Sequence, residues 1–140
     1  MDLNLAADRP TTATAPRRLP GQGRVLVIED DESLREIMEV LIAVEGCDAR
    51  SAADAAAALD LLSRWEPDLI LLDFYMPGMD GASFIRAYRE RPEPHAPIVV
   101  LSGSADAREQ VADLGVAGCL DKPFAAEALL AVLDDLVGCS

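Results

Sequence analysis

The sequence predicts an α/β protein in which a five-stranded parallel sheet is covered on both faces by five helices. Strand-like and helix-like segments alternate from Arg24 onward, the order that builds parallel sheets through right-handed crossovers. Three strand-like runs, Val25-Leu26-Val27-Ile28, Leu69-Ile70-Leu71-Leu72 and Ile98-Val99-Val100-Leu101, are apolar at every position, as strands buried on both faces are. The chain has 140 residues and is 51% hydrophobic, enough for one domain with one core.

The first strand runs from Arg24 to Ile28. A helix from about Glu32 to Glu45 follows, with Leu34, Ile37, Met38, Leu41 and Ile42 along one face and Gly46 as its stop. A short strand lies near Cys47 to Arg50. The alanine-rich run from about Ala53 to Arg64 predicts a helix with Leu59 and Leu62 toward the sheet, and the strand Asp68 to Leu72 comes next. Asp80 is placed to cap a helix from Gly81 to about Arg89, where Phe84, Ile85 and Tyr88 stand at helical spacing. Beyond the proline-rich link come a strand Pro97 to Leu101, a helix from about Ala105 to Leu114, a strand Val116 to Leu120 and a helix from about Ala125 to Leu136. Residues 1–23 show neither period and are rich in Ala, Thr, Pro and Arg. They predict a mobile tail ahead of a domain over residues 24–138.

Bulk composition excludes several functions. A net charge of −13 opposes binding to nucleic acid phosphates or anionic membrane surfaces. Cys47, Cys119, Cys139 and the one histidine, His95, lack metal-ligand spacing, so neither a zinc site nor a disulfide framework is expected. No apolar run approaches the roughly 18 residues that span a bilayer, and there is no signal-peptide core. A cytoplasmic location is expected.

The chemistry gathers at strand ends. Asp73 closes the third strand just before the turn Phe74-Tyr75-Met76-Pro77-Gly78-Met79-Asp80-Gly81. The first strand runs into Glu29-Asp30-Asp31, the fourth into Ser102, and the segment Cys119-Leu120-Asp121-Lys122-Pro123-Phe124 delivers a lysine. Ligands of open α/β sheets bind beyond the carboxyl ends of the strands. Carboxylates for a hard cation, a hydroxyl and an ammonium together equip a magnesium-dependent phosphoryl-transfer site. Asp31 is expected to do no more than cap the following helix. Phe74, Met76, Met79 and Trp65 read as packing, and the Tyr75 side chain is placed to overhang the site.

From Arg24 to Val137 the sequence resembles a response-regulator receiver domain of bacterial two-component signalling. The resemblance rests on the acidic pair Glu29 and Asp30, on Asp73 in Leu-Leu-Asp-x-x-Met-Pro-Gly-Met-Asp-Gly, on Ser102, and on Lys122 in Lys-Pro-Phe. It implies a flavodoxin-like sheet of order 2-1-3-4-5 and Asp73 as phosphoacceptor. It also implies magnesium held by Asp30, Asp73 and the backbone carbonyl of Tyr75, with Glu29 acting through a water. Lys122, Ser102 and the backbone N–H of Gly103 would meet phosphoryl oxygens. The partners implied are a histidine kinase or histidine phosphotransfer protein and a protein target. The Lys122-Pro123 bond is expected to be cis. Where the family often carries Tyr or Phe as a switch residue, three positions before the lysine, this chain has Cys119. The close of the chain soon after the last helix leads to the expectation of a stand-alone receiver, a phosphoacceptor and not an enzyme.

Two other classes compete. A metal-dependent phosphatase on a related fold would need a second Asp two residues after Asp73, where Tyr75 stands. A flavin or nucleotide binder would need a Gly- or Ser/Thr-rich phosphate loop after the first strand, and Glu29-Asp30-Asp31 would repel phosphate there.

Overall fold

Five runs of chain pair in parallel: β1 (Arg24–Ile28), β2 (Asp48–Ala52), β3 (Leu69–Asp73), β4 (Ile98–Ser102) and β5 (Gly118–Asp121). The computed structural model describes residues 23–76, 78–102 and 105–138. The expected tail, but for Gly23, lies outside them. The sheet order is β2-β1-β3-β4-β5, as expected. β3 and β4, central and wholly apolar but for their last residues, are buried at every position. The edge strand β2 carries the alternation of a half-covered strand, with Asp48 and Arg50 exposed.

Helices α1 (Glu32–Val44) and α5 (Ala126–Leu136) cover one face. They bury Met38, Ile42, Leu129 and Leu133 against Val25, Val27, Leu69 and Leu71. α2 (Ala55–Leu62), α3 (Gly81–Arg89) and α4 (Ala105–Val111) cover the other. There Leu62, Phe84, Ile85, Tyr88 and Val111 pack on Leu26, Ile28, Ile70 and Leu72. The two sets of strand residues alternate, which is the pleat of a sheet buried on both sides.

Carboxylate caps fix where helices start. Asp31 Oδ1 accepts from Leu34 N–H at 3.2 Å, Asp54 Oδ1 from Ala57 N–H at 2.8 Å, and Asp80 Oδ1 from Ala82 N–H at 3.1 Å. Between β3 and α3 the chain makes a small antiparallel hairpin in which Tyr75 pairs with Asp80 and Met76 with Met79. Gly81 follows directly, where a Cβ would stand 2.5 Å from Phe74 Cδ1 and 2.9 Å from the Phe74 carbonyl oxygen. Only glycine lets α3 begin this close to the turn.

Three expectations are corrected. Ile37 is 56% exposed, because α1 meets the sheet along the narrower stripe of Met38 and Ile42 and leaves Ile37 at its edge. α4 ends at Val111 instead of Leu114. Cys47 is disulfide-bonded, against the expectation of none, while Cys119 is free. Among the described residues no helix is long and apolar enough to cross a membrane.

Candidate functional site

The topology reverses direction between β1 and β3, and the crevice beyond their carboxyl ends is where this architecture receives ligands. Ile28 pairs with Leu72, so the residues that follow, Glu29 and Asp73, emerge side by side. One carboxylate oxygen each from Glu29, Asp30 and Asp73 lies within 4.8 Å of the others. Glu29 and Asp73 are buried, whereas Asp30 faces solvent.

Glu29 is held from several sides. Its N–H donates to the Ala52 carbonyl at 3.1 Å, and its own carbonyl accepts from Arg35 Nη1 at 2.9 Å. Its Oε2 accepts from Asp31 N–H at 3.2 Å. The role of Arg35 in anchoring this turn was not legible in the sequence, where its position on the first turn of α1 marks it only as a surface charge.

Lys122 arrives from the far side. Ser102 pairs with Asp121, and Lys122 N–H then donates to the Ser102 carbonyl at 2.7 Å. This directs the ammonium back across the strand ends. Lys122 Nζ lies 2.7 Å from Glu29 Oε1 and 3.3 Å from Asp73 Oδ2. Glu29 Oε1 meets the ammonium off the ideal hydrogen-bond alignment despite that approach. The Lys122-Pro123 bond is cis.

Electrostatics follow from burial and crowding. Burial first, then the charge of Glu29, push the Asp73 carboxyl up to about 7, against the pull of Lys122. Burial works against the Lys122 ammonium, but contact with Glu29 and the charge of Asp73 outweigh it and hold the lysine above its ordinary range. Three clustered carboxylates facing one ammonium leave excess negative charge in a partly dry crevice. Such an all-oxygen set fits a hard divalent cation, with the aligned acceptor that Glu29 Oε1 leaves unused available to a metal-bound water.

The remaining sequence-derived residues surround this cluster. Ser102 is buried at the end of β4. Tyr75 is 47% exposed, with its ring edge-on to Phe74 and its hydroxyl accepting from Gln110 Nε2 of α4 at 3.0 Å. Gly103, expected to lend a backbone donor, lies outside the described residues. Cys119 is half-buried on β5 opposite Val100, packed against the core on the α4 side. Arg108 of α4 donates to Asp121 through Nε at 3.2 Å and Nη2 at 2.7 Å. Neither this pair nor the Tyr75–Gln110 bond could be read from spacing. Phe74, Met76 and Trp65 are buried packing residues, as expected.

Residues 25–134 match the response regulator receiver domain family. The chain belongs to that family. Response regulator MprA of Mycobacterium sp. strain KMS is 38% identical over 110 residues, covering 77% of this chain and 47% of the relative. A probable transcriptional regulator, ycf27 of Porphyridium aerugineum, is 34% identical over 108 residues, covering 76% of this chain and 44% of its own length. The chain thus spans about half the length of the curated relatives it matches. Among solved receivers, chemotaxis response regulator CheY4 of Vibrio cholerae superposes with a TM-score of 0.76 at 28% identity, covering 83% of this chain and 99% of that one. The signal receiver domain from Bermanella marisrubri gives 0.75 at 31% identity, covering 84% and 98%. The expected fold class and family are therefore both borne out.

Proposed function

We propose that this receiver accepts a phosphoryl group on Asp73 from the phosphohistidine of a histidine kinase or histidine phosphotransfer protein, and acts in the cytoplasm as a phosphorylation-dependent switch or relay shuttle. The observation that carries the reading is the 3.3 Å approach of Lys122 Nζ to Asp73 Oδ2 within the three-carboxylate cluster. An Asp73 oxygen attacks phosphorus, the P–N bond breaks, and its electron pair returns to the imidazole of the donor. Lys122 supplies a compact charge for one phosphoryl oxygen and Ser102 a hydroxyl donor for another. Asp30, Asp73 and the Tyr75 carbonyl would hold magnesium, with Glu29 acting through a water. When bound, the ion supplies positive charge for the equatorial oxygens and offsets the carboxylates.

The product is an acyl phosphate on the protein itself, so the chain is a signalling component with self-catalysed transfer and hydrolysis, not an enzyme with a free substrate. The net charge of −13 favours a protein target over direct contact with nucleic acid. A phosphatase would want an acid at position 75, where the Tyr75 hydroxyl is already bonded to Gln110. The test is incubation with acetyl phosphate and magnesium. Intact mass should rise by one phosphoryl group and stay unchanged in Asp73→Asn. Undiminished labelling of that variant would overturn the reading.

A further inference from the structure

Asp30 is the exposed member of the carboxylate cluster, so the backbone on either side of it decides where its carboxylate stands. Two rigid peptide planes meet at its Cα, and fixing both fixes the direction of its Cα–Cβ bond. The plane that follows Asp30 is held by Asp31 N–H, which donates to Glu29 Oε2 at 3.2 Å. The plane that precedes it carries the Glu29 carbonyl, one residue past Ile28, where the ladders of β1 end on both sides. A carbonyl on a residue only 1% exposed needs a donor once the ladder stops. Arg35 supplies it, through Nη1 at 2.9 Å.

Arg35 is placed for this by its own helix. Its N–H donates to the Asp31 carbonyl at 2.9 Å, and Asp31 Oδ1 caps the same turn through Leu34 N–H at 3.2 Å. The half-buried Arg35 side chain then reaches back to the peptide ahead of Asp30. The two holds on Asp30 differ in kind. Glu29 also meets Lys122 Nζ at 2.7 Å, so its grip on Asp31 answers to whatever charge enters the crevice. A guanidinium keeps its charge at any physiological pH and here binds a neutral carbonyl, so its grip does not.

We propose that Arg35 is a positioning residue for the metal site: it locks the peptide ahead of Asp30 and so holds the exposed carboxylate toward Glu29 and Asp73. This role presupposes that the cluster binds magnesium, as proposed above. Charge alone would give the opposite sign, because a guanidinium beside the cluster repels a divalent cation and its removal would tighten binding. Orientation of a metal ligand from behind predicts a loss.

Magnesium is titrated calorimetrically into the full-length parent, Arg35→Met, Asp30→Asn and the double variant. Arg35→Met should weaken binding by about tenfold, the low end for residues that orient a metal ligand, while its metal-free melting temperature falls by a few degrees at most. In the metal-free protein its Glu29 carbonyl carbon-13 resonance should move upfield, since one accepted hydrogen bond is lost. Arg35→Lys, which keeps the charge and a donor without the planar fork, should fall between. Added to Asp30→Asn, Arg35→Met should cost less than about twofold more, because the charged ligand it positions is already gone. Tighter or unchanged binding in Arg35→Met, or an equal loss with and without the Asp30 carboxylate, would overturn the role of Arg35. Binding that Asp30→Asn leaves unaltered would instead overturn the magnesium reading, and the role of Arg35 with it.

Discussion

The ammonium of Lys122 stands closer to Glu29, at 2.7 Å, than to Asp73, at 3.3 Å. In the resting site the lysine therefore satisfies the deeper carboxylate first and leaves Asp73 under-compensated. This matches the carboxyl pushed up to about 7. Burial first, and then the charge of Glu29, thus favour the protonated form of Asp73, and a cation bound at the cluster would favour the charged form.

A pH dependence follows. Below about pH 4 Asp73 holds its proton in both the folded and unfolded chain. Between its ordinary value of 3.8 and the raised value of about 7, the unfolded chain releases the proton while the folded site retains it. The unfolded state then binds fewer protons, so this group's contribution to stability declines as pH rises across that window and levels off above it. Metal-free Asp73→Asn should therefore match the parent near pH 4 and exceed it at pH 8 by on the order of 2 kcal/mol, less than full linkage because the site can relax and admit water. Urea denaturation in a chelator at the two pH values measures this. Equal stability at pH 8 would contradict it.

Asp30 is the exposed member of the cluster, so removing its charge should cost metal affinity without cost to the fold. In Asp30→Asn, magnesium binding by isothermal titration should weaken about tenfold or more, with the melting temperature of the metal-free protein unchanged or higher. Unaltered affinity would locate the metal elsewhere.

Gly81 offers a test of the turn that positions Asp73. Gly81→Ala places a methyl 2.5 Å from Phe74 Cδ1 and 2.9 Å from the Phe74 carbonyl, and backbone cannot yield as a side chain does. A loss of about 1–3 kcal/mol is expected, together with slower labelling by acetyl phosphate, since Phe74 directly follows Asp73, the proposed acceptor. A variant as stable as the parent would mean that the hairpin adjusts freely.

Much of this was legible because local and global signals agree. The helix Gly81–Arg89 has the bounds that the Asp80 cap and the spacing of Phe84, Ile85 and Tyr88 indicate. Strands β3 and β4 run one residue beyond their apolar runs, to include Asp73 and Ser102, because ladder pairing and not hydropathy sets where a strand ends. The acidic pair, Asp73 and Lys122 could be assigned to one crevice because parallel topology sends every strand's carboxyl end the same way. What could not be read was contact between groups distant in sequence. The Lys122–Glu29 preference, the Arg108–Asp121 pair and the bonding of Cys47 depend on tertiary approach, which cysteine count and charge spacing do not encode.

Tyr75 was expected to overhang the site, and its hydroxyl is tied to Gln110 of α4. If Asp73 is phosphorylated as proposed, a half-exposed ring held by this tie next to Phe74 would limit the approach of water to the acyl phosphate. Tyr75→Ala should leave stability within about 1 kcal/mol and shorten the phosphoryl lifetime several-fold, measured as decay of the phosphorylated mass. Gln110→Ala should have a smaller effect in the same direction. An unchanged lifetime in Tyr75→Ala would remove the shielding role.

Where the family resemblance implies an aromatic switch residue this chain has Cys119, and a thiol is too small to fill the space that a ring would exchange, so packing at this residue alone can transmit little. Movement at Ser102 nevertheless has a route. Ser102 pairs with Asp121, and Arg108 of α4 grips the same Asp121 through two hydrogen bonds. Ala107, buried beside Arg108, seats α4 on the core that Cys119 also touches. A shift of Ser102 toward a phosphoryl group on Asp73 would thus pull on β5 and α4 together and change the cover over the half-buried thiol. The alkylation rate of Cys119, followed by peptide mass mapping, should change several-fold when beryllofluoride and magnesium are added. The Arg108→Ala variant should alkylate faster than the parent in both states, with a smaller difference between them. An identical rate in the parent with and without beryllofluoride would mean that phosphorylation leaves this region in place and that a target reads the phosphorylated surface directly.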